Sequence, residues 1–152
     1  MCLASDKAEG TVLDLSELLR ASRHDVDNQV PFQQEVQLCK RYLGIESLRF
    51  GDRLQVEWDM PDIPDQVQIP LLTLQPLLEN AILHGIQPLS DGGVIRVKAI
   101  YHYGLFELQV SNPWVEQETE AQTKGNQMAL ENTRNRLSVL YGDRAKLTSY
   151  QE

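Results

Sequence analysis

Asn80 and His84 stand one helical turn apart in the run PLLTLQPLLENAILHG, which extends from Pro70 to Gly85. At about 100° per residue, Leu74, Leu78, Ala81, Ile82 and Gly85 fall on one side of a helix. Thr73, Pro76, Asn80, His84 and Gln87 fall on the other. An asparagine is an unusual choice in so apolar a helix. Its side chain offers both a carbonyl acceptor and an amide donor. A neutral oxygen facing a cleft suits a hydrated Mg²⁺, which keeps its waters and takes few protein ligands. The same spacing also fits a solvated helix face or a capped core asparagine. Pro76 is expected to bend this helix.

The elements around that helix can be read from periodicity. Val12, Leu15, Leu18 and Leu19 recur at helical spacing and predict a helix over Thr11 to Ser22, with little to pack on. Arg23 to Val30 is polar and reads as a loop. Pro31 suits the first turn of a second helix, whose stripe is Phe32, Val36, Cys39 and Leu43 and which stops at Gly51. Arg53 to Met60 alternates as a half-buried strand, with Leu54, Val56, Trp58 and Met60 on one face. Val94 to Tyr101 and Leu105 to Val110 form a hairpin that turns near Tyr103-Gly104. Pro113 to Gly125 is polar, acidic and aperiodic, the pattern of a loop. Met128 to Tyr141 is a further helix, and Leu147 to Tyr150 begins a strand. This mixture predicts an α/β fold: a two-layer α/β sandwich with one mixed sheet and helices on one face.

Composition narrows the function. The 152 residues carry 14 Lys plus Arg against 22 Asp plus Glu, a net charge of −8. So acidic a chain is a poor match to a phosphate backbone, and direct nucleic-acid binding is not expected. No apolar stretch approaches the roughly 20 residues that span a bilayer. Met1 to Gly10 lacks the apolar core of a signal peptide. Cys2 and Cys39 are too few for a disulfide framework or a zinc knuckle and read as reduced thiols.

The run from Pro70 to Gly85 resembles the N box of the ATPase superfamily shared by gyrase, heat-shock chaperones, histidine kinases and MutL (the GHKL, or Bergerat, fold). Its form is similar to that of the LytS/YehU-type sensor histidine kinases. Upstream, Tyr42-Leu43, Ile45-Glu46 and Arg49-Phe50 match that family's YL-x-IE-x-x-RF run. Downstream, Leu130, Asn132, Arg134, Arg136-Leu137 and Leu140-Tyr141-Gly142 match its L-x-N-x-R-x-RL-x-x-LYG helix. The three matches occur in the family's order and cover most of the chain from Leu15 onward. The GN-x-MAL-x-N start of the last helix resembles the alginate/fimbrial sensor (AlgZ/FimS-like) subgroup.

The resemblance implies the catalytic, ATP-binding domain of an atypical two-component sensor histidine kinase, with ATP and Mg²⁺ as cofactors. Asn80 would hold the Mg²⁺ that bridges the nucleotide phosphates. Glu79 would orient a metal-bound water or a proton acceptor, the alternative being a surface carboxylate. His84 would line the cleft near the phosphates or serve in packing. Asn112 stands where the family has the adenine-binding Asp, with a carbonyl acceptor but no charge. Gly125, Asn126 and Gln127 stand in the phosphate loop, where two of the family's glycines are replaced. A positive φ at Gln127 would cost about 1 kcal/mol. The helix N-terminus that follows would still offer free N–H groups. Leu83 replaces a basic residue of many relatives. Pro113 to Gly125 corresponds to the ATP lid, here acidic through Glu116, Glu118 and Glu120.

Gyrase-like relatives carry a water-activating Glu one turn before the Asn. Here that position is Pro76, so the resemblance favours phosphoryl transfer over hydrolysis. The family's phosphoacceptor histidine, in a Pro-His-Phe context, has no match among His24, His84 and His102. The expected division is therefore residues 1–30 as the end of a dimerisation or linker helix with its loop, and 31–152 as a C-terminally truncated ATP-binding domain. The implied partners are a homodimer mate through upstream helices and a response regulator of the LytTR transcription-factor type. The implied location is the cytoplasmic side of an inner-membrane sensor. A different class of reading stays open: a degenerate nucleotide-binding fold that acts as a dimerisation or regulator-docking scaffold.

Overall fold

A computed structural model describes residues 8–16, 29–113 and 120–151. The described residues begin in strand β1 (Ala8–Ser16) and resume at the short β2 (Gln29–Pro31), which leads into helix α1 (Phe32–Phe50). The helix ends as expected at Gly51, whose φ of 57° lies in the left-handed region that a glycine enters freely. Strand β3 (Leu54–Asp59) follows, then β4 (Gln68–Pro70), helix α2 (Leu74–Gly85) and the hairpin β5 (Gly93–His102) and β6 (Leu105–Pro113). Helix α3 (Glu120–Tyr141) and strand β7 (Ala145–Gln151) complete the described residues.

The larger sheet has the order β3-β5-β6-β1-β7, and β2 pairs with β4 in a second, two-stranded sheet. β3 and β5 run parallel, while β5–β6, β6–β1 and β1–β7 are antiparallel. The sheet is therefore mixed, as expected. Ile95, Val97 and Ala99 alternate on β5, and Phe106, Leu108 and Val110 alternate on or beside them on β6; all are buried. Phe32, Val36, Cys39 and Leu43 of α1 join the same core, as do Leu74, Leu78, Ala81 and Ile82 of α2 and Leu130 and Leu137 of α3. Phe32 meets Phe106 edge to face, centroids 4.8 Å apart. Such a pair adds about 0.5–1.5 kcal/mol beyond its area. The hairpin turns at Tyr103 and Gly104, with φ of 50° and 81°, the signs a tight two-residue turn needs.

Three expectations are corrected. The helix expected over Thr11–Ser22 is instead a strand at Ala8–Ser16; residues 17–28 lie outside the described residues. Leu13 faces Leu108 on one side and Leu147 on the other in register, so β1 fills the gap between β6 and β7. Pairing there satisfies both edges of β1 and the facing edges of β6 and β7, and that outweighs a short helical pattern. The helix expected from Pro70 starts at Leu74, because Pro70 belongs to β4. Pro76 then falls in the first turn, where its missing N–H breaks no bond, so no bend is required. The loop expected up to Gly125 is already helical from Glu120. Glu, Ala, Gln and Lys are good helix formers, and an acidic residue suits the first turn. These turns are exposed on several sides, so they carry no apolar stripe for the sequence to betray.

Candidate functional site

Helix α2 carries the polar residues singled out from the sequence, and both of its ends are held by charged side chains from elsewhere. At its start, the fully buried carboxylate of Glu35 on α1 accepts three backbone N–H bonds. The donors are Leu72 at 3.2 Å, Thr73 at 2.8 Å and Leu74 at 3.4 Å. A carboxylate at a helix N-terminus satisfies orphan donors and opposes the positive end of the dipole. The Thr73 hydroxyl donates to the Pro70 carbonyl at 2.6 Å and closes the turn. At the far end, Arg53 Nη2 donates to the carbonyls of Leu89 at 2.7 Å, Gln87 at 3.3 Å and Ile86 at 3.4 Å. A cation there complements the negative end of the same dipole.

Between these clamps, the face of α2 turned away from the sheet borders a cavity of about 420 Å³. Pro76, Glu79, Asn80, Leu83 and His84 form one wall. Ala121, Gly125 and Ala129, four residues apart on α3, form the other. Their small side chains keep the two helices from filling the space between them. His84 is 3% exposed, whereas Asn80 is half-buried and Glu79 is open to water. Gln75 Nε2 donates to Glu79 Oε1 at 3.1 Å, one turn apart. The Glu79 charge also reaches α1. Burial, with added repulsion from Glu46 and Glu79, pushes the Tyr42 hydroxyl up to about 12. Burial, then Glu35 and Glu79, pushes the Cys39 thiol up to about 12.

The cavity thus brings together Glu79, Asn80, His84 and Gly125. It does not bring in Asn112, which is 7% exposed and packs against α2 at Gly85. A Cβ on Gly85 would lie 2.5 Å from Asn112 Nδ2, so the glycine permits the close approach of the strand to the helix. Asn112 Nδ2 donates to the Pro113 carbonyl at 2.9 Å. Gln127 is exposed and is not among the lining residues; the side chain of Asn126 lies outside the described residues, as does Trp114.

The phosphate-loop geometry also differs from expectation. Gly125 to Gln127 sit in the second turn of α3, past its first four residues, so their N–H groups belong to the helical ladder and are not free. None of them has a positive φ, and Gln127 therefore carries no left-handed strain. A Cβ on Gly125 would meet nothing within 4 Å.

Sequence reasoning passed over Glu35, Arg53 and Arg136, which hold the site without touching the cavity. Glu35 left a trace: it lies at i+3 from Phe32, on the apolar stripe of α1, where a carboxylate is costly unless satisfied. Arg136 left one as well, as a position of the L-x-N-x-R-x-RL-x-x-LYG match, but neither it nor Arg53 showed its partners, which are backbone carbonyls 33 to 65 residues away.

Comparison with known proteins bears on this arrangement. A family model described as histidine kinase matches residues 1–54. The chain is 35% identical over 151 residues to sensor histidine kinase YpdA of Escherichia coli, covering 93% of this chain and 26% of that protein. It is 32% identical over 149 residues to sensor protein LytS of Streptococcus agalactiae, with 91% of this chain and 26% of that protein covered. Sensor histidine kinase YesM of Bacillus subtilis is 33% identical over 143 residues, with 93% and 25% covered. The chain spans about a quarter of the length of these relatives. No helix among the described residues is long and apolar enough to cross a membrane.

Proposed function

The chain belongs to the sensor histidine kinases of the LytS and YpdA type, and from that premise we propose that it is their catalytic, ATP-binding part. One observation carries the reading: a hollow of about 420 Å³ onto which an amide, a carboxylate and an imidazole of one helix face open together. That volume lies in the range of small-molecule sites. The donor set on α2 is oxygen-rich and neutral at Asn80, which fits a hydrated Mg²⁺ shared with phosphate oxygens. When bound, Mg-ATP supplies the transferable phosphoryl group and the cation that neutralises its charge.

The residues of this chain would then divide the work as follows. Asn80 holds the cation through its side-chain oxygen, and Glu79 orients a water or a proton acceptor beside it. His84 stands near the phosphates. Asn112 is assigned to the adenine by its place at the end of β6. Gly125, Asn126 and Gln127 are assigned to the phosphates. No Lys or Arg is among the described residues that line the cavity, so phosphate charge falls to the cation and to backbone N–H groups. Those of 125–127 become available only when the first turns of α3 open. Pro76 stands one turn before Asn80, where gyrase-like relatives carry their water-activating carboxylate, which suits transfer to a histidine elsewhere in the whole protein and then to a response regulator. A LytTR-type regulator, dimerisation through upstream helices and a cytoplasmic position beneath a membrane sensor belong to the same proposal.

Titration with Mg-ATP or a non-hydrolysable analogue, followed calorimetrically, tests it. Saturable binding that Asn80→Ala weakens at least about tenfold, with the circular dichroism unchanged, is the expected result. Absence of binding at millimolar nucleotide overturns it. That outcome favours the scaffold reading, for which the engaged N–H groups of 125–127 and the displacement of Asn112 from the cavity both speak.

A further inference from the structure

The turn that leads into α2 is gripped by its two neighbouring helices through the same two peptide groups. In the first, Arg136 Nη2 of α3 donates to the Leu71 carbonyl while Glu35 Oε1 of α1 accepts the Leu72 N–H at 3.2 Å. In the second, Arg136 Nη1 donates to the Leu72 carbonyl at 2.8 Å while Glu35 Oε2 accepts the Thr73 N–H at 2.8 Å. Both oxygens of the carboxylate and both terminal nitrogens of the guanidinium are used. Each peptide dipole lies between the two charges and is polarised by both, so each bond strengthens its counterpart. A left-handed residue beside a right-handed one aims consecutive N–H groups at one anion. Leu72 adopts φ 61° and Thr73 φ −94°, ψ −50°, which is that combination. A bulky residue seldom accepts that conformation. Leu72 is 47% exposed, so packing of its own side chain does not account for it.

Neither charge reaches the cavity, yet both bear on its shape. Arg136 follows Ala129 by two helical turns and so lies along the same face of α3. Glu35 is fixed within α1 and holds the start of α2. We propose that Glu35 and Arg136 form an ion pair relayed through two peptide groups, and that they act as positioning residues. They pin α3 to the start of α2 and so set the separation of Asn80 from Gly125. The consequence for nucleotide affinity rests on the function proposed above; the pinning does not. Around this pin, the first turns of α3 can move relative to α2 without the helices parting at their other end.

Nitroxide labels at Gln87→Cys and Met128→Cys, in a Cys2→Ser background, report the helix separation by pulsed electron resonance. Both label positions are exposed, and buried Cys39 stays unlabelled. A narrow distance distribution is expected for the parent protein. In Arg136→Ala and in Glu35→Gln it should broaden and its mean should move outward. Arg136→Lys, which keeps the charge and reaches one carbonyl, should restore much of the parent distribution. It also carries the test where the alanine variant fails to fold. A distribution unmoved in all folded variants, with only the melting temperature lowered, overturns the proposal. Where the parent binds Mg-ATP, the two pinning variants should weaken it roughly tenfold. A parent that binds no Mg-ATP sinks the proposed function, while the distances still decide the pin.

Discussion

The two walls of the cavity are built on opposite terms. The α2 wall is short, capped by an anion at one end and a cation at the other, and sunk into the core through Leu74, Leu78, Ala81 and Ile82. The facing part of α3 shows Glu120, Ala121, Lys124, Gly125, Gln127 and Met128 to water, and its first buried apolar residue is Leu130. The α2 wall bears the amide, carboxylate and imidazole; the α3 wall bears a glycine and two alanines. Groups that must meet a ligand at fixed distances belong on the wall whose helix cannot shift. Turns with few buried contacts open at low cost, so under the proposed function the α3 wall is the one that would move to admit the nucleotide.

Replacing Glu35 by alanine attacks this contrast most directly. It strands three N–H groups, two of them buried, and removes the charge that answers Arg136. A loss of about 3 kcal/mol or more in urea unfolding is expected. A loss below about 1 kcal/mol would show that α2 is not clamped from α1.

The glycines on the two walls should respond with opposite signs. Gly85→Ala places a methyl against the Asn112 side chain and should destabilise by about 1–3 kcal/mol, despite the better helix propensity of alanine. Gly125→Ala meets open space and should gain up to about 1 kcal/mol from propensity alone. Thermal melts of the pair decide this, and two changes of the same sign would dissolve the distinction between the walls.

A further effect is seen only in alkali. The buried Cys39 thiol, under α2, is pushed from 9.0 up to about 12. In the unfolded chain it ionises first, so above pH 9.0 the folded state holds more protons and stability falls as pH rises. The contribution is complete below pH 9.0 and is lost as pH climbs towards about 12. Urea midpoints measured on either side of pH 9.0 should show the decline, and Cys39→Ala should flatten it. A decline untouched by Cys39→Ala and by Tyr42→Phe together would place its origin elsewhere.

Much of the scaffold was legible because its signals are local. The stripe Phe32, Val36, Cys39, Leu43 and the stop at Gly51 mark α1 within a few turns of helix. The alternation from Leu54 to Met60 marks β3, and Tyr103-Gly104 marks the hairpin turn. The polar trio of the site was legible for the same reason, since Glu79, Asn80 and His84 lie within two turns of one helix. Asn112 and Gln127 were legible only as positions in a pattern, which carries no information on what packs beside them. β1 misled because Val12, Leu15 and Leu18 satisfy a helical period, while the edges of β6 and β7 that recruit it lie about a hundred residues downstream.

The sequence by itself determined the apolar faces of α1, α2, β3 and the hairpin, the stops at Gly51 and Gly142, and which helix carries Glu79, Asn80 and His84. Those properties follow from contacts within a few residues of each other along the chain. The tertiary structure alone decided that Glu35 and Arg136 answer one another through Leu71 and Leu72, and that Gly125 faces Asn80 across a hollow. These partners lie 37 and 64 residues apart from the turn they share. Their pairing depends on how helices stack on the sheet, and no local periodicity encodes a distance between helices.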